Sequence, residues 1–202
     1  MKKILFAFLS LATVFAFTAC NDEDDDFNEI NLGKQIEEAS VTYTVPIYRP
    51  SLEWLDYIVS YTTPDGIIST DTISYENVIS GKVSLVTLAE KEPTDREDGR
   101  AFWVRNGHFI AIPDSCSINA RMSLRSDVNM PDRIDLIVPK PAMTTVVRYT
   151  DGNLRSIIGE EGLDFNVVSV ETKTDLFKSI IEREYYSTCT FYPSVQIYSG
   201  SK

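Results

Sequence analysis

One histidine, three cysteines and 30 acidic side chains bound the chemistry open to this 202-residue chain. His108 is the single imidazole, so a His-rich zinc site is excluded and any Ser-His-Asp or Cys-His arrangement must be built on it. It follows Asn106-Gly107, a dipeptide that favours a two-residue turn, and a base at an exposed hairpin tip is poorly placed to be buried and oriented. The G-x-S-x-G, Walker A, G-x-G-x-x-G and C-x-x-C patterns do not occur, so a nucleophile elbow, P-loop phosphoryl transfer and dinucleotide binding lack their local signatures. Carboxylates are numerous enough for a glycosidase pair at about 5–10 Å, but no two are singled out, and Glu160-Glu161 between Gly159 and Gly162 reads as a solvated turn. No catalytic residue, metal ligand or cofactor is assigned.

Cysteines and aromatics supply the remaining candidates. Cys116 and Cys189 fall on inward-facing strand positions; in an exported protein they could form a disulfide, or stay as two buried thiols. Trp54, with Tyr48 and Tyr57, is a candidate glycan platform, because exposed aromatic rings stack on sugars, although strand aromatics ordinarily pack in cores. Trp103 is expected in the core.

The N-terminus carries an address. Lys2-Lys3 precede an apolar stretch from Ile4 to Phe17, broken only by Ser10 and Thr13, and Thr18-Ala19-Cys20 follow. Fourteen residues with two hydroxyls are short for a membrane-spanning helix and fit a secretory signal. The small residue before Cys20 resembles the lipobox of bacterial lipoproteins, with Phe17 where that family prefers Leu. The acidic run Asp22-Glu23-Asp24-Asp25-Asp26 is similar to the export signal of Bacteroidetes-type surface lipoproteins. The resemblance implies cleavage after residue 19, lipid on Cys20 and display on the outer face of the outer membrane, with a periplasm-facing orientation as the alternative. Physically, the acidic block is a self-repelling solvated tether, taken here over residues 20–38, and it lacks the alternating ligands and turn glycine of an EF-hand.

The elements that must position any site begin near Ala39. Val41, Tyr43, Val45 and Ile47 alternate with polar residues as a strand, placed at an edge because Pro46 cannot donate to a ladder. Leu55 to Tyr61 and Ile67 to Tyr75 flank Thr63-Pro64-Asp65-Gly66 as a hairpin. Phe102 to Ile110 is expected to fold back at Asn106-Gly107, with Trp103 opposite Ile110 and Val104 opposite Phe109. Cys116, Ile118, Ala120, Met122 and Leu124 form one face of a two-faced strand, and Ile134, Leu136 and Val138 repeat the pattern. A further hairpin turns at Asp151-Gly152, bringing Val146-Val147 against Ile157-Ile158 and Arg148 towards Arg155. Thr174 to Tyr186 is the one helical pattern, and a last strand carries Cys189, Phe191, Val195 and Ile197. Roughly ten short strands at 8–12 residue spacing imply an all-β chain: a single antiparallel β-sandwich over residues 39–202, Greek-key or immunoglobulin-like in style, with one accessory helix near 174–186.

Charge narrows the partners. The net charge is −11, and without Lys2 and Lys3 the mature chain has 17 basic against 30 acidic residues, or −13. Nucleic acid is excluded as a partner because no basic stripe exists to neutralise phosphates. The expected function is a lipid-anchored lipoprotein that binds or scaffolds, its partners being the membrane through Cys20 and a glycan or another surface protein. The competing readings are a carboxylate-dependent hydrolase such as a glycosidase, and a fimbrial or pilus-associated subunit with a displaceable C-terminal strand at Val195 to Tyr198.

Overall fold

The structure is a computed structural model that describes residues 36–87, 99–159, 166–182, 187–192 and 197–200. The chain divides into a first unit, Met1–Asn31, and a second, Leu32–Lys202. The expected signal peptide, the lipidated Cys20 and the acidic tether as far as residue 35 lie outside the described residues, and so does Glu160-Glu161.

Within the second unit the alternating stretches become twelve described strands: β1 (Ile36–Tyr48), β2 (Leu55–Thr62), β3 (Ile68–Ile73), β4 (Leu85–Thr87), β5 (Arg100–Phe109), β6 (Cys116–Leu124), β7 (Arg133–Leu136), β8 (Ala142–Tyr149), β9 (Leu154–Gly159), β10 (Val168–Glu171), β11 (Ser187–Tyr192) and β12 (Ile197–Gly200). A 3-10 turn (Arg49–Glu53) links β1 to β2, and two short α-helices, α1 (Tyr75–Ile79) and α2 (Asp175–Glu182), complete the set. One five-stranded sheet has the order β4-β5-β1-β8-β9, a second has β12-β11-β6-β2-β3, and β7 pairs with β10. Every pairing is antiparallel. The chain is therefore all-β, and it crosses from one sheet to another after β1, β3, β5, β6, β7, β9 and β10, while β2–β3, β4–β5, β8–β9 and β11–β12 each pair within one sheet.

One core joins those sheets. Val41, Tyr43, Val45 and Trp103 face inward from the first, and Leu55, Tyr57, Val59 and Ile118 from the second, all in one buried cluster. Burial on alternate residues removes one face of each strand from water, which is the main favourable term of the fold. Polar bonds fix the sheets relative to each other where the core meets solvent. Tyr43 donates its hydroxyl to the Thr62 carbonyl at 2.8 Å. The Trp103 indole N–H donates to Asp71 Oδ2 at 3.1 Å, and Arg105 grips the same oxygen through Nη2 at 2.8 Å. A carboxylate on β3 thus holds two side chains of β5.

Several expectations hold. The β2–β3 hairpin closes as read, with Tyr57 opposite Ile73 and Thr62 opposite Ile68, and Gly66 supplies the positive φ of 79° that the turn requires. Thr174 caps α2 by accepting the Phe177 N–H at 3.2 Å, and Phe177 packs into the core. The helix is described to Glu182, and residues 183–186 lie outside the described ones.

Others are corrected. No turn forms at Asn106-Gly107: β5 runs straight through both, and Trp103 lies opposite Val45 and Leu85 rather than Ile110. The thirteen-residue β1 offers β5 ten successive pairs, far more than a short local hairpin could form. Gly107 serves packing instead, since a Cβ there would stand 2.9 Å from the Phe109 ring. β1 is central, not an edge strand. Pro46 lies just past its last β8 pair, Thr44 with Ala142, where a missing donor is tolerated. The β8–β9 register sets Arg148 opposite Leu154, so the like-charged pair with Arg155 does not form, and Arg148 binds Glu38 at 2.7 Å. At the far end of β6, Leu124 is exposed rather than inward.

Candidate functional site

The aromatic platform does not assemble. Tyr57 is 0% exposed, and its hydroxyl is held 2.8 Å from Ser51 Oγ, so burial pushes its pKa up to about 12. Tyr48 is 7% exposed, and Trp54 is half-buried against the core. These residues flank the β1–β2 crossover, and that crossover folds over the end of the sandwich instead of presenting its rings to solvent.

Cys116 is a buried free thiol with its pKa raised to about 11 by desolvation. The register opposes it to Phe191 and opposes Cys189 to Ile118, so the two cysteines are diagonal neighbours. Such positions stand about 7–8 Å apart at Cα, beyond a disulfide's usual reach of about 6.8 Å. That geometry accords with Cys116 as a free thiol, the alternative to the bond. The Cys189 side chain lies outside the described residues.

His108 is exposed, as expected, but lies within β5, next to its last residue, and not at a hairpin tip. Its Nδ1 is 3.2 Å from Ser40 Oγ and its Nε2 is 3.3 Å from Glu38 Oε2. The order serine, imidazole, carboxylate is formally that of a triad. Its setting is wrong for one: Ser40 sits between β5 and β8 partners, so the neighbouring amides are committed to the ladders and leave no oxyanion hole. The face is open to water, and Glu38 is shared with Arg148.

A cleft does form at one end of the second large sheet. Asp56 comes from β2, Thr72 from β3, Ser74 and Glu76 from the start of α1, and Leu124 to Asp127 from the end of β6 and the turn after it; together they line about 360 Å³. Each wall has a local cause. Ser74 ends β3 and caps α1 by accepting the Asn77 N–H at 3.1 Å, which projects Glu76 from the first helical turn. The Arg125 N–H donates to the Trp54 carbonyl at 3.0 Å, fixing the end of β6 against the start of β2.

Arg125 organises the cleft. Its side chain is 12% exposed and donates to Asp127 through Nε at 3.2 Å and Nη2 at 2.8 Å, to Glu76 through Nη2 at 2.8 Å, and to the Leu52 carbonyl through Nη1 at 3.5 Å. The bidentate bond from Arg125 holds Asp127 below the usual carboxylate range, and a backbone N–H together with Arg125 does the same for Glu76. Asp56 moves the other way. Burial raises its pKa against the pull of Arg125, and Glu76 and Asp127 raise it further. Its Oδ1 is buried without a hydrogen-bond partner.

Three carboxylates against one guanidinium with four of its five donors engaged leave the cleft negative and rich in acceptors, with the hydroxyls of Thr72 and Ser126 beside them. Such a surface suits ligands that bring donors: sugar hydroxyls or ammonium groups. None of these residues was marked as a site in the sequence. Arg125 and Asp56 read there as the wet face of ordinary strands, and only the Arg-Ser-Asp spacing at Arg125–Asp127 hinted at a local ion pair. Glu76 is 49 positions from Arg125, so nothing local joins them.

Among the described residues no group of three or more His, Cys, Asp or Glu side chains could hold a metal ion, and no helix is long and apolar enough to cross a membrane. In comparisons with family models, curated proteins and solved structures, nothing matches this chain.

Proposed function

We propose that this protein is a lipid-anchored, surface-displayed β-sandwich lipoprotein that binds a hydroxyl-rich ligand, a glycan, at the Arg125 cleft. The observation that carries the reading is the engagement of Arg125. With four of its five N–H donors already used, the group that rigidifies the cleft competes little for ligand acceptors, and the carboxylates and hydroxyls around it remain to accept from a ligand. Anchoring rests on the lipobox-like Thr18-Ala19-Cys20, and display on the acidic run from Asp22 to Asp26. A glycan array probed with the mature chain tests the binding: retention of one glycan class, lost in Glu76→Gln/Asp127→Asn, is expected, and retention unchanged by that variant sinks the assignment. Cys20→Ala should release the protein from membranes, and deleting Asp22 to Asp26 should reduce protease accessibility on intact cells.

The hydrolase reading has one observation in its favour. Asp56, kept towards its protonated form by burial, neighbours two carboxylates held ionised, which is the split that acid–base chemistry on a glycosidic bond requires. Against it, both ionised carboxylates are bound to Arg125, which blunts either as a nucleophile or base. Turnover of aryl glycosides by the wild type that disappears in Asp56→Asn would replace binding by catalysis as the primary function.

A further inference from the structure

A second pocket lies at the C-terminal end of β1 and shares no residue with the Arg125 cleft. It encloses about 200 Å³ and is lined by Tyr48, Arg100, Asp135, Val167 and Ser169. Two cross-strand pairs build it. Tyr48 stands opposite Arg100 in the β1–β5 register, and Asp135 stands opposite Ser169 in the β7–β10 register. One pair therefore contributes a cation and a phenol, the other an anion and a hydroxyl.

The wall behind Tyr48 is closely packed. Gly99, immediately before Arg100, lies so close to Tyr48 and Pro50 that a Cβ there would stand 2.5 Å from the Tyr48 ring and 2.6 Å from Pro50 Cδ. The Arg49 N–H also donates to the Gly99 carbonyl at 2.7 Å, which ties the strand ends together beside the pocket. Tyr48 and Arg100 are thus held by backbone, not by side-chain partners.

The polar groups are unused. Arg100 Nε is buried with no hydrogen-bond partner. Among the described residues neither Arg100 nor Asp135 enters an ion pair or side-chain hydrogen bond, with each other or with anything else. A guanidinium and a carboxylate that share a small pocket ordinarily close on one another. Here they are carried by different sheets that hold them apart, each with open hydrogen-bonding capacity.

We propose that this pocket binds a small zwitterion of the α-amino-acid type, its carboxylate on Arg100 and its ammonium on Asp135, with Tyr48 and Ser169 as neutral hydrogen-bonding groups. Opposite charges on one small ligand match opposite unpaired charges on two walls, and the volume of about 200 Å³ fits a small molecule and not a polymer. An anion alone would leave Asp135 facing it, and an amine alone would leave Arg100 without an acceptor.

The test is an amide NMR titration of the mature chain with L-alanine, N-acetyl-L-alanine and L-alaninamide. L-Alanine should shift the amides of Tyr48, Arg100, Asp135 and Ser169 saturably, and each capped analogue should bind about tenfold more weakly or worse, since each lacks one charge-assisted contact. Arg100→Gln should abolish the preference for alanine over alaninamide, and Asp135→Asn the preference over N-acetylalanine; the spectra themselves report whether each variant is folded. No saturable shift at these four amides with L-alanine, or equal binding of all three compounds by the wild type, overturns the proposal. Neither outcome bears on the glycan reading of the Arg125 cleft, whose residues are different.

Discussion

Two arginines at strand ends have opposite fates. Arg125 follows β6 and donates to two carboxylates and a carbonyl, while Arg100 opens β5 and donates its side chain to nothing among the described residues. Both are half-buried or nearly buried, so exposure does not separate them. The difference lies in which elements converge. Around Arg125, a turn and a capped helix bring acids of the same region to its donors. Around Arg100, the acid that shares its pocket, Asp135, is carried by the separate β7–β10 pair and makes no ion pair with it. An arginine with most donors engaged stabilises and shapes a surface; one with a buried unpaired donor is a standing cost to the fold that a ligand can relieve.

Substitutions break this contrast in a definite order of size. Gly99→Ala should have the largest effect, about 2 kcal/mol lost, because its Cβ would meet the Tyr48 ring and Pro50 at 2.5–2.6 Å and the wall beside the Arg100 pocket must shift. Denaturant unfolding measures it, and a loss below about 0.5 kcal/mol would mean that this wall yields easily. Arg125→Gln should follow, losing about 1–2 kcal/mol once the exposure of its partners is allowed for, or a melting temperature lower by roughly 2–8 °C. Arg100→Gln removes no partner and takes away a buried unpaired N–H, so it should leave stability unchanged or raise it by up to about 1 kcal/mol. Equal losses in the two arginine variants would dissolve the comparison.

The core holds a small counterpart of Arg100. Thr145 is fully buried on β8, and its hydroxyl has no hydrogen-bond partner. Thr145→Val keeps the shape and removes the unsatisfied group, so it should raise unfolding stability by up to about 1 kcal/mol.

Acid sharpens the comparison with the smallest signals. Glu76 and Asp127 are held below their ordinary values of 4.5 and 3.8, so the stability they contribute is present above those values and lost as pH falls through the lowered ones. Asp56 is raised above 3.8, so its ionised form costs stability at neutral pH and the cost is relieved as pH falls through the raised value. Asp56→Asn should therefore be more stable than the wild type at pH 7, and the gain should fade on acidification. Arg125→Gln should lessen the loss of stability below about pH 4.5 without abolishing it, because Asp127 loses its main cause of depression while a backbone N–H still holds Glu76 below its ordinary value. Thermal unfolding across that range reads both.

What could be read from residues alone was whatever has a short-range cause. Alternation along β6, the Thr-Pro-Asp-Gly turn with its positive-φ glycine, and the Thr174 cap each depend on a few neighbours, and each is found. Asn106-Gly107 is the instructive failure. Its local preference for a turn was real, but ten pairs offered by a distant strand outweigh one dipeptide. The aromatic platform failed for a related reason, since Tyr48 and Tyr57 lie on strand ends that the 3-10 crossover and the segment ending at Ile137 bury.

The sequence by itself determined an acidic all-β chain, the positions of most strands and the absence of the commonest catalytic signatures. Only the tertiary structure decided where polar side chains meet. Arg125 finds Glu76 across 49 residues, and Arg100 is kept from Asp135 within one pocket. Strand formation follows from periodicity within a few residues, whereas the partner of a charge depends on register and crossover geometry, which no local pattern specifies.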